Sequence, residues 1–181
     1  LNTLSPEVFR EGCAEVIKYS VLYDPALFAH LSEKGMDFDR EMVISRCVEL
    51  KRNVVAEDEF DTGSRMKLNL GHTIGHGVEV QSHFEISHGR GAAIGMAIVS
   101  RAGVAYGICD AVTRDAILSI LERFRLPVTC EFSAESLYRS ALSDKKRSGG
   151  VVNLIVPERI GSCRIVPTPV DSLLSFIKAG L

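Results

Sequence analysis

Apolar residues recur along this chain mostly at helical spacing, and short polar or Pro/Gly clusters divide the pattern into successive helices. Ser5-Pro6-Glu7 supplies a hydroxyl cap, a proline at the first helical position and an acid in the first turn. It predicts a helix to about Ser20 that packs through Phe9, Cys13, Val16, Ile17 and Ser20, with Glu11, Glu15 and Lys18 along its polar edge. Asp24-Pro25 repeats the start signal for a short helix closed by Gly35. Asp37 or Asp39 opens a long helix to about Asp58, with Val43, Ile44, Cys47, Val48, Val54 and Val55 inward and Lys51 and Arg52 in its second half. An acidic turn over 57–63 then breaks the pattern.

The next stretch departs from ordinary surface patterning. Read as one helix, Arg65, Asn69, His72, His76, Glu79 and His83 fall on a single stripe, because residues three and four apart are neighbours. Met66, Leu68, Leu70, Ile74, Val78 and Val80 fill the remaining positions. A solvated face more often carries Glu and Lys than an amide and two or three imidazoles, so the stripe reads as the wall of a site. After an irregular segment, 83–90, a helix over about Gly89 to Tyr106 is rich in Gly and Ala, which suits close packing at the centre of a bundle. Asp110 caps a helix to about Arg125, stopped by Pro127, and Ser133 opens another that ends near 144–150.

Strand patterning is confined to 151–156 and 162–166, which flank Pro157 to Gly161 as a hairpin, and Asp171 caps a short closing helix. The fold expected is a single, mainly α domain with a small β-hairpin near its end.

Composition narrows the functional classes. The chain has 181 residues, 46% of them hydrophobic and 24% charged, with a net charge of −2. That is an ordinary globular balance, with no field favouring nucleic acid or an anionic membrane. The most apolar stretch, 91–109, is interrupted by Arg101 and reads as a core helix rather than a bilayer span. Five scattered cysteines without a C-x-x-C pair fit buried thiols in a reducing compartment. The start at Leu1 rather than Met suggests an excised domain.

Two chemistries are legible. His72, His76, His83 and His88, with Glu15, Glu79 and Glu85, offer the His/carboxylate set of a catalytic metal site, and spacing does not choose among them. Thr73 stands where an H-E-x-x-H helix carries Glu, which disfavours a zincin peptidase. Lys18, Lys51, Arg65, Lys145, Lys146 and Arg147 would suit a phosphate- or carboxylate-bearing substrate if they converge. Gly89-Arg-Gly-Ala-Ala-Ile-Gly95 imitates a dinucleotide fingerprint, but its third glycine falls one residue late and no apolar strand precedes it.

Four blocks, in order, carry a family resemblance: Phe9-Arg-Glu-Gly-Cys-Ala-Glu-Val-Ile-Lys-Tyr19, Asn69-Leu-Gly-His-Thr-Ile-Gly-His76, Ser87-His-Gly89 and Asp144-Lys-Lys146. With them the chain resembles the C-terminal domain of the 3-dehydroquinate synthase family, within the sugar phosphate cyclases. The resemblance implies a divalent metal, Zn2+ or Co2+, on Glu15, His72 and His88. It assigns substrate and catalytic roles to Lys18, Lys51, Arg65, Asn69, His76 and one or both of Lys145 and Lys146. It implies a phosphorylated keto sugar acid as substrate and NAD bound mainly by an N-terminal domain absent from this chain, with only Leu1, Asn2 and Thr3 at the cofactor's edge. A cytoplasmic homodimer is expected for the full-length enzyme, and no activity from this domain alone. Asp61 stands where the family commonly has Glu, and Thr3-Leu4-Ser5 where it has T-L-P. The alternatives are another sugar phosphate cyclase, a metal-dependent polyol dehydrogenase of the glycerol dehydrogenase type, and a helical module whose histidines are satisfied core residues.

Overall fold

The computed structural model describes residues 3–61, 63–145 and 150–181, apart from the side chains of 143–145. The expectations for Leu1, Asn2, Lys146, Arg147 and the Lys145 side chain lie outside the described residues. The expected mainly helical architecture is present. The elements are α1 (Pro6–Tyr23), α2 (Pro25–Lys34), α3 (Arg40–Glu57), α4 (His72–Gln81), α5 (His88–Ala105), α6 (Ala111–Arg123), α7 (Ala134–Lys145), β1 (Val151–Arg159), β2 (Ser162–Pro169) and α8 (Val170–Gly180). Among the described residues, no helix is long and apolar enough to cross a membrane.

Helix starts follow the cap chemistry. The Ser5 hydroxyl accepts from the Val8 N–H at 3.2 Å. Asp24 ends α1 and caps α2, accepting from the Ala26 and Leu27 N–H groups at 3.0 and 2.9 Å. Asp39 and Asp110 cap α3 and α6 in the same way. At the last helix the expected cap moves. Pro169 holds the cap position of α8 and Asp171 lies in the first turn, because β2 continues directly into the helix.

Helix α5 is the axis of the molecule. Ala93, Ile94, Met96, Ala97, Ile98 and Ala102 are fully enclosed, and α1, α4, α6, α8 and β1 all pack on it. The hairpin is antiparallel, with Leu154 opposite Val166 and Pro157 opposite Cys163. Its strands run further than expected, leaving a tight turn at Ile160-Gly161, with Gly161 at φ +84°. Pro157 is tolerated inside a strand because a two-stranded ribbon leaves each strand one unpaired edge. The Gly161 N–H donates to the Val21 carbonyl at 2.9 Å, tying the hairpin to α1.

Two further expectations are corrected. In α3 the buried side is Val43, Leu50 and Val54, whereas Ile44 and Val48 face outward, 43% and 62% exposed. This helix lies at the periphery and contributes only a narrow stripe. The more consequential correction concerns the stripe from Arg65 to His83, which is not one helix. Ser64–Asn69 forms a 3-10 turn, Gly71 takes φ +77°, and α4 begins only at His72. The break comes from packing. A Cβ on Gly71 would lie 2.7 Å from the Ala92 carbonyl oxygen and 2.8 Å from the Met96 nitrogen. The chain therefore bends where it meets α5, in a conformation open mainly to glycine. His83 leaves the row at the other end, in a turn where it has φ +51°.

Two stability predictions follow from this packing. Gly71→Ala combines left-handed strain with overpacking and is expected to cost roughly 2–4 kcal/mol in urea unfolding. Gly107→Ala, at φ +67° with open space around it, should lose only the conformational contribution, about 1 kcal/mol; equal losses would contradict the packing account. At Asp24, burial raises the carboxyl, but the Leu27 N–H, the Arg46 guanidinium and the Ala26 N–H outweigh it and hold the pKa below the ordinary value. Its contribution is present above the unfolded-state pKa and lost as pH falls through the lowered one. Asp24→Ala should therefore cost about 1–2 kcal/mol near neutrality, and the gap from the parent should shrink in acid.

Candidate metal centre

The stripe's surviving part and the N-terminal turn of α5 face the polar edge of α1. Glu15 comes from the middle of α1, His72 from the first residue of α4 and His88 from the first residue of α5. Glu15 Oε1 lies 3.4 Å from His72 Nε2 and 3.6 Å from His88 Nε2, and the two rings are 5.0 Å apart between centroids. Glu15 Oε2 accepts from the Lys18 ammonium at 2.6 Å. Lys18 is only 4% exposed, one turn further along the same helix face. Burial raises the Glu15 carboxyl, but His72, when its ring is protonated, and the Lys18 ammonium more than offset this and bring it to about 2.

Glu15 Oε1 is buried and has no hydrogen-bond partner. The gaps of 3.4 and 3.6 Å to the imidazole nitrogens exceed ordinary hydrogen-bond length. They match a different spacing. Donors arranged tetrahedrally about 2.0–2.1 Å from one ion stand about 3.3–3.4 Å from each other. A carboxylate oxygen and two imidazole nitrogens converging on one point, with room for further ligands, are the donor set of an open divalent site.

The imidazole orientations support the same reading. His72 Nδ1 lies 2.9 Å from the Leu70 carbonyl oxygen, an acceptor only, so Nδ1 carries the proton and Nε2 presents its lone pair toward Glu15. His88 Nδ1 lies 3.1 Å from Glu79 Oε1. His76, one turn along α4 from His72, has its ring 5.6 Å from that of His72 and 5.9 Å from that of His88. A second set of potential ligand atoms, from His76, Glu79 and His88, also lies within 4.8 Å of one another.

The remaining candidates divide. Lys18 joins the centre through Glu15. Asn69 ends the 3-10 turn, exposed, two residues before Gly71. The Arg65 guanidinium donates to the Glu59 carbonyl at 2.8 Å and the Arg65 backbone N–H to Asp58 Oδ2 at 3.0 Å, so its described bonds run to the acidic turn and not to the histidines. Lys51 is exposed on α3, a helix that packs against the 3-10 turn. Thr3 is exposed ahead of α1. His83 and Glu85 are exposed and stand outside both ligand sets. Glu79 was visible on the stripe, seven residues from His72, but sequence spacing could not show that it meets His88 across two helices.

Comparison with solved structures shows the fold first. A 2-epi-5-epi-valiolone synthase from Streptomyces hygroscopicus subsp. jinggangensis, with NAD+ and Zn2+ bound, is 23% identical and matches with a TM-score of 0.82 over 97% of this chain and 52% of its own. A 2-deoxy-scyllo-inosose synthase complexed with carbaglucose-6-phosphate, NAD+ and Co2+ is 18% identical and matches with a TM-score of 0.83 over 100% and 54%. At these identities the likeness is one of fold, shared with roughly half of each of those chains. The sequence profile of the 3-dehydroquinate synthase C-terminal family matches residues 12–147. A 3-dehydroquinate synthase of Enterococcus faecalis is 38% identical over 183 residues, 98% of this chain and 51% of the relative. One from Streptococcus suis is 34% identical over 185 residues, 98% and 52%. The chain belongs to the 3-dehydroquinate synthase C-terminal family and spans about half the length of the curated relatives it matches.

The geometry separates the histidines experimentally. His72→Ala and His88→Ala are each expected to weaken Zn2+ or Co2+ binding by at least about 100-fold in calorimetric titration, since each would remove a candidate ligand. His76→Ala should retain most of the affinity, and equal losses from all three would contradict the division.

Proposed function

We propose that the protein carrying this chain is a 3-dehydroquinate synthase. It converts 3-deoxy-D-arabino-heptulosonate 7-phosphate into 3-dehydroquinate and phosphate, a lyase step of the shikimate pathway toward chorismate and the aromatic amino acids. The course proposed is transient oxidation by NAD, phosphate elimination, reduction, ring opening and intramolecular aldol closure. The observation that carries the reading is the convergence of Glu15, His72 and His88 on one point, in a chain of this family.

Glu15, His72 and His88 would hold Zn2+ or Co2+, whose chemistry there is Lewis acidity that eases proton loss from a substrate hydroxyl. Both metals occur in solved relatives of the same fold. Lys18 keeps Glu15 ionised and presents a buried positive charge beside the substrate position. Arg65, Asn69, Lys51, Lys145 and Lys146 are assigned to the substrate's carboxylate, phosphate and hydroxyls, which fixes the reacting carbon through successive intermediates. For Arg65 this assignment requires the guanidinium to leave the Glu59 carbonyl when substrate binds. His76 exchanges protons or contacts the phosphate from beside the metal ligands.

NAD is assigned mainly to an N-terminal domain outside these residues, with Leu1, Asn2 and Thr3 at its edge, so this chain alone should be inactive. The five free thiols are consistent with a cytoplasmic enzyme, and a homodimer is the assembly proposed. The rival within the fold is a cyclase for a sugar phosphate without the carboxylate. Full-length protein should release phosphate from the heptulosonate phosphate without net change in NADH absorbance. Release from glucose 6-phosphate but not from the heptulosonate would overturn the assignment, and net NAD reduction would favour a polyol dehydrogenase. Lys18→Ala should lower kcat/KM by roughly 100-fold or more, the scale of losing one preorganised charge contact.

A further inference from the structure

His88 belongs to both potential ligand sets: Nε2 faces Glu15, and Nδ1 faces Glu79. A ring with both nitrogens so placed must be committed to one. Packing does not do it, because the His88 side chain is 50% exposed, whereas that of His72 is 13% exposed and anchored on its own backbone through Leu70. The contact described for His88 Nδ1 is the Glu79 carboxylate at 3.1 Å.

We propose that Glu79 is a positioning residue for the metal centre: its carboxylate takes the Nδ1 proton of His88 as a hydrogen bond and thereby fixes Nε2 as the metal-facing nitrogen. Glu79 is itself well held. Its side chain is 14% exposed, and it lies against the first turns of α5, where a Cβ on Gly91 would come within 3.1 Å of Glu79 Cγ and 3.3 Å of Oε1. Gly91 thus leaves the space the carboxylate occupies. A Cβ on Gly75 would in turn lie 2.8 Å from the Gly91 carbonyl oxygen, so the two helices cross closely enough for a residue of α4 to reach the ring at the head of α5. With Nδ1–H donated to Glu79, Nδ1 offers no lone pair to the His76 side, and the second ligand set cannot form around the same ring. A carboxylate behind a metal-bound imidazole also raises the ring's basicity.

This inference rests on the metal reading above, and the test keeps the two apart. Full-length protein is stripped of metal and titrated with Co2+, following calorimetry and the visible absorption of the bound ion, for the parent, Glu79→Ala, Glu79→Gln and His72→Ala. The parent should bind one Co2+ per chain. Glu79→Ala should bind about 10–100-fold more weakly, the usual loss on removing such a partner, with the parent's absorption band shape and metal-free melting temperature retained. Glu79→Gln, which can still accept from Nδ1–H, should lose less. Co2+ binding by Glu79→Ala as tight as the parent's would overturn the proposal. So would a second ion in the parent, or a changed band shape in Glu79→Ala, either of which makes Glu79 a ligand. No Co2+ uptake by the parent would overturn the metal reading itself.

Discussion

The first turns of α5 touch α1 on one side and α4 on the other at backbone distance, and the candidate metal centre depends on that contact. A side chain at Gly89 would collide with the Glu11 carbonyl of α1, and one at Gly95 with the Gly71 carbonyl ahead of α4. Helices separated by ordinary side chains lie about 8–10 Å apart. Glycine at these crossings removes that spacing, so that His72 and His88 come to 5.0 Å between ring centroids and both reach Glu15. The donors are therefore preorganised by core packing, on three helices that each set one face into the core. That is a firmer support than a loop offers for holding donors at fixed spacing.

Electrostatics act within this frame. A buried carboxylate is costly unless charge and donors surround it. Glu15 is only partly buried, its side chain 35% exposed, and its compensation is lopsided: Oε2 has the Lys18 ammonium, whereas the buried Oε1 has no hydrogen-bond partner. An unsatisfied buried oxygen is rare in native structures and here points to a cation. With Lys18 already engaged and both Nδ1 atoms directed to acceptors, the free lone pairs converge on one place.

Periodicity alone located one wall of this centre but misread its shape. His72, His76 and Glu79 do share a face of α4, as three- and four-residue spacing implies. Arg65 and Asn69 fit the same helical spacing because the pattern does not register a single left-handed glycine, which is required only by the proximity of α5. Start signals such as Ser5-Pro6, Asp24-Pro25 and Asp110 were legible because capping is local chemistry. The outward turn of Val48 and the continuation of strand β1 through Pro157 were not, since both depend on what the neighbouring element leaves uncovered. The union of Glu15 with His72 and His88 spans more than seventy residues of sequence, and within the sequence it was available only through the family resemblance.

Anomalous diffraction from crystals grown with Zn2+ tests the central claim most directly, because it locates the ion without reference to activity. The account predicts one strong peak about 2.0–2.2 Å from Glu15 Oε1, His72 Nε2 and His88 Nε2. A peak between His76 and Glu79 instead, or no peak in a folded protein with the three side chains in place, would contradict it.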